Sequence, residues 1–199
     1  MHFELFLLTF PGLVLANDIS DFQNLLTVCN TTTSYLENMN RNATNPHISN
    51  STAYLHAGLG KRQSYANSGM DTADLVGNLT GTITAVKVNL DGDQASFVTG
   101  PKQAIEDAYN SYINCIPSFA QEMTVRGRSI HDEANQPVFD QLVQMARQIY
   151  KLGQGLRSRN ITSEAAMIRT MRAGSAVVNA ESAWDRDLNY PGQKRAMIG

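Results

Sequence analysis

The two cysteines of this chain, Cys29 and Cys115, are the residues with the most clearly defined chemistry. A thiol can act as a nucleophile, bind a metal or form a disulfide, and a lone pair in an oxidising compartment favours the disulfide. Cys29 falls on the apolar stripe of one predicted helix, and Cys115 lies one turn beyond Tyr112, near the apolar face of another. Two core-facing cysteines on different helices can meet, so we predict a Cys29–Cys115 bridge. Two buried free thiols are the alternative if the protein is not secreted.

The other polar residues do not form a catalytic or metal-binding pattern. In "SIHDE", His131 stands beside Asp132 and Glu133, but adjacent residues point in different directions, whereas metal ligands on a helix are spaced as i and i+4. We interpret this stretch as a solvated polar turn. The chain has no Gly-x-Ser-x-Gly elbow and no phosphate loop. We therefore expect no enzyme activity, no metal site and no cofactor.

Asparagine sequons indicate a glycoprotein. Five Asn-x-Ser/Thr sequons are present, at Asn30, Asn42, Asn50, Asn78 and Asn160. Asn42, Asn50 and Asn160 lie in polar, loop-like sequence and are the better acceptors. Asn78 falls inside a predicted helix and Asn30 follows a cysteine, so packing can block either of these two.

A dibasic pair, Lys61-Arg62, lies in "HAGLGKRQSYANSG" between two segments that look ordered. Kexin-type proteases of the secretory pathway cut after such a pair when it is exposed and extended. The surrounding Gly, Ser and Asn residues and the lack of an apolar period favour exposure. The pair is therefore either a processing site or a chance feature of a surface loop. A cut after Arg62 would leave the two pieces joined by the disulfide.

The N-terminal sequence "MHFELFLLTFPGLVLAN" resembles a signal peptide. The apolar run Leu5–Ala16 has the length of a signal-peptide core and is too short to span a bilayer. We predict cleavage after Ala16; the alternative is a buried N-terminal strand or helix. No other apolar stretch approaches the roughly twenty residues of a membrane-spanning helix. We expect a secreted protein without a transmembrane segment, located outside the cell or in the cell wall.

Charge and length limit the possible partners and the domain number. Sixteen basic and eighteen acidic residues give a net charge of −2, which provides no electrostatic reason to expect binding to nucleic acid or to an anionic membrane. The length after signal removal fits one domain. We divide the chain into a signal peptide (1–16), a first helix (17–40), a flexible Asn/Ser/Gly-rich segment (41–69), a helical-bundle core (70–190) and a loose tail (191–199).

Apolar spacing is helical along most of the remaining sequence. A first helix is predicted over 18–40 and a second along the stripe from Leu75 to Leu90, with Ser68 and Asp71 arranged as a capping box before it. A third begins around Pro101, since proline suits the first helical turn. We expect Pro117 to kink or restart this third helix.

The two C-terminal helices complete an all-α pattern. Residues 137–156 place apolar side chains at 4-3-4-3-4 spacing, on Val138, Leu142, Met145, Ile149, Leu152 and Leu156. The last helix begins with Thr162 or Ser163 as its N-cap. Its apolar positions run towards Trp184 through Ile168, Met171, Ser175 and Val178. These four or five amphipathic helices predict a bundle of the up-and-down type.

The helices also carry a family resemblance. The pattern consists of the start "DISDFQNLLTVC", the long helix "QAIEDAYNSYINCIPSFAQEM", the stripe "FDQLVQMARQIYKLGQGL" and an Ala-rich last helix that closes on "AESAW". Residues 70–185, which contain the last three of these segments, resemble the fungal hydrophobic surface-binding protein and cell-wall galactomannoprotein family, and the start at 18–29 is also similar to it. The resemblance implies an extracellular or cell-wall location and the binding of apolar surfaces or lipids.

Two other function classes remain open. The segment "VCNTTTSY" is similar to the opening of plant invertase and pectin methylesterase inhibitors, which are secreted helical bundles. Those inhibitors have four cysteines with the first two close together, and this chain has no partner near Cys29, which argues against an inhibitor. The remaining class is a secreted toxin or effector, made from a processed precursor, that binds a partner protein.

Small and flexible residues in the helices predict where an apolar ligand would bind. Methionine adapts to irregular guests, and ligand pockets are mostly apolar. Ordinary core packing is the alternative reading of the same residues. We place an apolar cavity or groove between the helices at 75–90, 137–156 and 163–184. The ligand-facing candidates are Leu79, Ile83, Tyr112, Met145, Ile149, Met171 and Trp184.

Overall fold

The computed structural model describes residues 11–44, 71–92, 101–129, 131 and 133–185, and the described residues form helices and short connections with no strand. Side chains at 11–18 and 42–44 lie outside the description. The all-α prediction is confirmed. The helices are α1 (Pro11–Thr44), α2 (Thr72–Gly92), α3 (Lys102–Arg128), α4 (Asn135–Ser158) and α5 (Glu164–Trp184).

Helix α1 is longer than its sequence pattern predicted. It begins at Pro11, a residue suited to a first helical turn, and continues to Thr44, so it includes Ala16 and the start of the predicted flexible segment. Cleavage after Ala16 stays a prediction, and residues 1–10 lie outside the described chain. Most of the predicted flexible segment, including Asn50, Lys61 and Arg62, and the tail at 191–199 also lie outside it.

The start of α2 differs in detail from the predicted capping box. The Oδ1 atom of Asp71 accepts a hydrogen bond from the backbone N–H of Asp74 at 2.8 Å. Asp71 is therefore itself the N-cap of α2, a position that short acidic side chains favour. The predicted capping box instead places the cap at Ser68, with Asp71 as the third helical residue after it. Ser68 itself lies outside the described residues.

Helix α3 continues through Pro117, so it does not restart there, and the alternative, a kink at Pro117, stays a prediction. Proline removes one backbone hydrogen bond and crowds the preceding turn. Its neighbours Ile116 and Phe119 are fully buried, and this burial on both sides of the proline offsets the loss. The predicted start is confirmed, because the carbonyl of Pro101 accepts from the N–H of Ala104 at 2.9 Å.

A tight turn joins α4 to α5. Asn160 adopts a positive φ of 54°, which asparagine tolerates better than most residues. The N–H of Ile161 then reaches the carbonyl of Leu156 at 3.0 Å, the pattern of a Schellman cap. Ser163 is the N-cap of α5 and accepts from the N–H of Ala166 at 3.2 Å, so one of the two predicted caps is confirmed.

The five described helices pack in a closed ring with the order α1, α3, α5, α4, α2 and back to α1. Cys29 faces Cys115, and Trp184 faces Met123. Asn89, near the end of α2, faces Asp21, near the start of α1. Helices α1, α3 and α5 therefore run one way, while α2 and α4 run the other. Successive helices alternate in direction, as predicted. Their order around the ring differs from their order in the chain, because α1 lies beside α3.

The ring has two distinct ends. The C-termini of α1, α3 and α5 meet at one, which we call the Trp184 end. The C-termini of α2 and α4 meet the start of α5 at the other, which we call the Ser163 end. The connection from α3 to α4 includes His131 and Glu133 and crosses the Trp184 end.

Helix α5 buries a different face from the predicted one. Ile168, Met171 and Val178 are 44%, 57% and 50% exposed, and Ser175 is exposed. The buried positions follow a second 4-3-4-3-4 series, made of Ala166, Thr170, Ala173, Val177, Ala180 and Trp184. Small side chains allow α5 to approach its neighbours closely. A Cβ added at Gly153 of α4 would lie 2.6 Å from the Cγ2 atom of Thr170.

Candidate functional site

Most residues predicted to face an apolar ligand belong to the closed core. Six of the seven are at most 1% exposed: Leu79, Ile83, Tyr112, Met145, Ile149 and Trp184. The seventh, Met171, lies on the outer face of α5. The structure therefore separates Met171 from the other six. A ligand from solvent would reach those six only if the helices moved apart.

Two tyrosines place their hydroxyl groups inside this core. The hydroxyl oxygen of Tyr109 lies 2.6 Å from that of Thr170, and the Tyr112 hydroxyl has no hydrogen-bond partner among the described residues. Burial raises the pKa of Tyr109 to about 12 and the pKa of Tyr112 well above its ordinary value. Both phenols therefore keep their protons well above neutral pH, which suits a packing role.

The outer face of α5 carries the first candidate binding surface. Ile168, Met171, Ser175 and Val178 follow one another at intervals of three, four and three residues, so they lie along one side of the helix. We call this set the outer stripe. Single exposed apolar residues are common on proteins, but an aligned series is a feature of binding surfaces.

The second candidate is an open cleft of about 920 Å³ at the Ser163 end, between α2, α4 and the start of α5. None of the seven predicted ligand-facing residues lines it. Seven of its nine described lining residues have polar or charged side chains, so this space between the three helices differs in chemistry from the predicted apolar cavity. We call it the cationic cleft, after the residues that define it: Lys87, Asp91, Lys151, Arg157, Arg159 and Met167.

Internal contacts hold the charges of the cationic cleft in place. Asp91 accepts a hydrogen bond from Lys87 and lies 3.5 Å from the guanidinium of Arg159. The hydrogen bond from Lys87 is the main cause of a lowered pKa at Asp91, which stays ionised at neutral pH. Arg157 donates to the carbonyl of Thr162 at 3.1 Å. Lys151 has no acceptor among the described residues.

The Trp184 end contains a buried polar cluster that sequence reasoning missed. Arg126 is 2% exposed and pairs with Glu133, whose other oxygen accepts from the N–H of Thr72 at 3.3 Å. His131 is 5% exposed, and its ring centre lies 4.8 Å from that of Trp184. At His131 and Glu133 the prediction of a solvated polar turn is therefore wrong.

A sequence signal for this cluster did exist. Arg126 follows Phe119 and Met123 on the buried stripe of α3 at the same 4-3 spacing. A charged residue in a core position requires a partner, and the nearest acidic residues after it in the sequence belong to "SIHDE".

The structure confirms the predicted disulfide but does not test glycosylation of the predicted sequons. The Cys29–Cys115 pairing is confirmed, with the two Cα atoms 6.4 Å apart. Asn30, Asn78 and Asn160 are all exposed, so burial blocks none of the three. The backbone of Asn42 lies within α1. Use of any sequon stays a prediction.

Two further properties concern the described residues alone. They contain no group of three or more His, Cys, Asp or Glu side chains arranged to hold a metal ion. None of their helices combines the length and the apolar character needed to span a bilayer.

Comparison with known protein families, with curated proteins and with solved structures gives no match. The resemblance to the fungal surface-binding family therefore stays a prediction.

Proposed function

We propose that this protein is a secreted, non-catalytic glycoprotein whose helical bundle binds apolar or lipid-like surfaces through the outer stripe of α5. The observation that carries the proposal is the placement of side chains on that helix. Ile168, Met171 and Val178 face solvent, while Ala166 and Ala173 occupy core positions. Burial of apolar surface favours the opposite arrangement, so the exposed series fits a surface that is covered during function.

The size of the stripe fits reversible adsorption. Full burial of one such side chain contributes about 1.5–3 kcal/mol, and these three are already about half buried. Covering them would contribute about 1 kcal/mol each, which corresponds to roughly a hundredfold enrichment at an apolar surface. This attraction is weaker than that of a membrane-spanning helix.

Other features support an extracellular setting for this activity. The predicted signal peptide, the sequons and the Cys29–Cys115 bridge are each typical of secreted proteins. The resemblance to a family of surface-binding and cell-wall proteins points in the same direction.

Adsorption to an alkyl-coated surface tests the proposal, using Met171→Asp/Val178→Asp as the stripe variant. Covering a carboxylate is costly, so we expect binding at least about tenfold weaker than that of the wild type. The matched control is Val88→Asp/Val125→Asp, which places the same charges at valines that are 62% and 40% exposed on α2 and α3. Equal loss in both variants, or no adsorption by the folded wild type, would contradict the proposal.

A protein partner is the second candidate function, and the spacing of the outer stripe favours it specifically. Apolar residues at three- and four-residue intervals also fit the groove of another protein. A processed effector or an inhibitor would use the stripe in this way. In that case the wild type would not adsorb to alkyl surfaces. It would instead form a stable one-to-one complex with a purified candidate enzyme, and the Met171→Asp/Val178→Asp variant would not.

A further inference from the structure

The cationic cleft at the Ser163 end gathers several charged side chains around an open concave surface. Its described lining contains four cations, Lys87, Lys151, Arg157 and Arg159, and one carboxylate, Asp91, which leaves an excess of three positive charges. The whole chain has a net charge of −2. The described lining of the cleft is therefore positively charged, although the net charge of the chain is negative.

Two of the four cations of the cleft are partly withdrawn from solvent, while Lys151 and Arg157 are exposed. The side chains of Lys87 and Arg159 are only 21% and 17% exposed, whereas Asp91, the acidic partner that they share, is 53% exposed. Partly buried charges are screened less by salt than surface charges. Bringing several cations together has an electrostatic cost that an anion in the cleft would relieve.

The walls of the cleft come from helices packed at close range. A Cβ added at Gly155 would lie 3.1 Å from the Cδ2 atom of Leu90, so α2 and α4 nearly touch at its base. The volume of about 920 Å³ lies within the range of small-molecule sites. Met167 is the only large apolar side chain among the described residues that line it.

We propose that the cationic cleft binds a ligand bearing a multiply charged phosphate group. Two arginines offer planar donor pairs that match phosphate oxygens, and two lysines add point charges. An anion of two or more charges balances the excess better than a single carboxylate. The phosphate can belong to a free small molecule or to a lipid headgroup. This inference goes beyond the apolar-surface proposal and does not depend on it.

Titration calorimetry of the full chain with inorganic pyrophosphate tests the free-ligand source. We expect saturable binding that weakens at least about tenfold in Lys151→Gln/Arg159→Gln, since each charge-assisted contact is a strong one, and that weakens as salt is raised. The matched control is Arg41→Gln/Arg128→Gln, which removes two positive charges at the Trp184 end. It should bind pyrophosphate like the wild type.

Flotation with phosphatidylcholine vesicles, with and without phosphatidic acid, tests the headgroup source. Binding that requires phosphatidic acid and is lost in Lys151→Gln/Arg159→Gln would support the proposal and identify the lipid source, even if pyrophosphate does not bind. Failure of both probes with the folded wild type would overturn it. So would equal binding by wild type and cleft variant. The stripe variant Met171→Asp/Val178→Asp should keep pyrophosphate binding, which separates failure of this proposal from failure of the adsorption proposal.

Discussion

Two helical glycines differ in what surrounds them, and this difference gives a residue-scale prediction. A Cβ added at Gly127 would lie 2.8 Å from the Nε1 atom of Trp184, whereas one added at Gly81 would have no neighbour within 4 Å. We expect Gly127→Ala to lower the free energy of unfolding by about 1–3 kcal/mol through overpacking. The control Gly81→Ala should raise it by about 0.5–1 kcal/mol, since alanine favours a helix. Urea denaturation measures both, and equal effects would contradict the close contact at Trp184.

The buried pair Arg126–Glu133 leads to a second prediction at this scale. Glu133→Ala removes the carboxylate partner of a guanidinium that is 2% exposed, and breaking such a buried pair costs about 3–5 kcal/mol. Glu37→Ala removes the partner of Arg41 in a pair whose side chains are 69% and 46% exposed, and should cost less than about 0.5 kcal/mol. Thermal unfolding compares the two variants. Similar melting temperatures would show that the buried pair contributes no more than a surface one.

Tyr109 predicts how stability changes in alkaline solution. Burial raises its pKa to about 12 from an ordinary value of 10.0, so between these values the unfolded chain loses a proton that the folded chain keeps. The contribution of Tyr109 to the free energy of unfolding should therefore be constant below pH 10 and fall by about 2 kcal/mol by pH 12. Tyr109→Phe should show a shallower fall in urea midpoints over the same range. An identical fall in wild type and variant would assign the effect to other groups, such as Tyr112.

At the scale of elements, helix positions followed from apolar spacing, but the buried face of α5 did not. All six predicted stripe positions of α4 are buried, because no second series of apolar residues along this helix competes with the large ones for the core. In α5 the large residues Ile168 and Met171 define one series, and small residues such as Ala173 define another. Hydropathy favours the first series. The close approach of α5 to Gly153 and Gly127 selects the second, and no local pattern contains that information.

Neighbouring valines of α5 test which face is inside. Val177 is fully buried and Val178 is 50% exposed. We expect Val177→Ala to lower the free energy of unfolding by about 2 kcal/mol, while Val178→Ala should change it by no more than about 0.5 kcal/mol. Urea denaturation distinguishes them, because the two changes are chemically identical. A larger loss of stability in Val178→Ala than in Val177→Ala would show that the face predicted from hydropathy is the buried one.

At the scale of the whole molecule, the order of helices around the ring was beyond sequence reasoning. An apolar stripe shows that a helix packs but does not identify its neighbours. The Cys29–Cys115 pairing was the one long-range restraint available, and it places α1 beside α3 correctly. The cationic cleft depends on residues from three helices, so it could not be recognised before their arrangement was known.

The disulfide sets a prediction for the stability of the whole bundle. It spans 86 residues, and in the chain-entropy model closing a loop of this size contributes about 4.5 kcal/mol. Cys29→Ala/Cys115→Ala should lower the free energy of unfolding by about this amount, and reduction of the wild type should have a similar effect. Two thiols that react with an alkylating agent in the unreduced protein would contradict the bridge. A cut after Arg62, which stays a prediction, would separate two pieces only under reducing conditions.

Trp184 is the only tryptophan of the chain, and its position makes the protein its own spectroscopic reporter. The indole is 1% exposed and donates to the carbonyl of Met123 at 2.9 Å, so its fluorescence emission should lie at short wavelength in the folded state. Emission should move to longer wavelength when the Trp184 end opens. Because the cationic cleft is at the far end of the bundle, a ligand bound there should leave the emission spectrum unchanged.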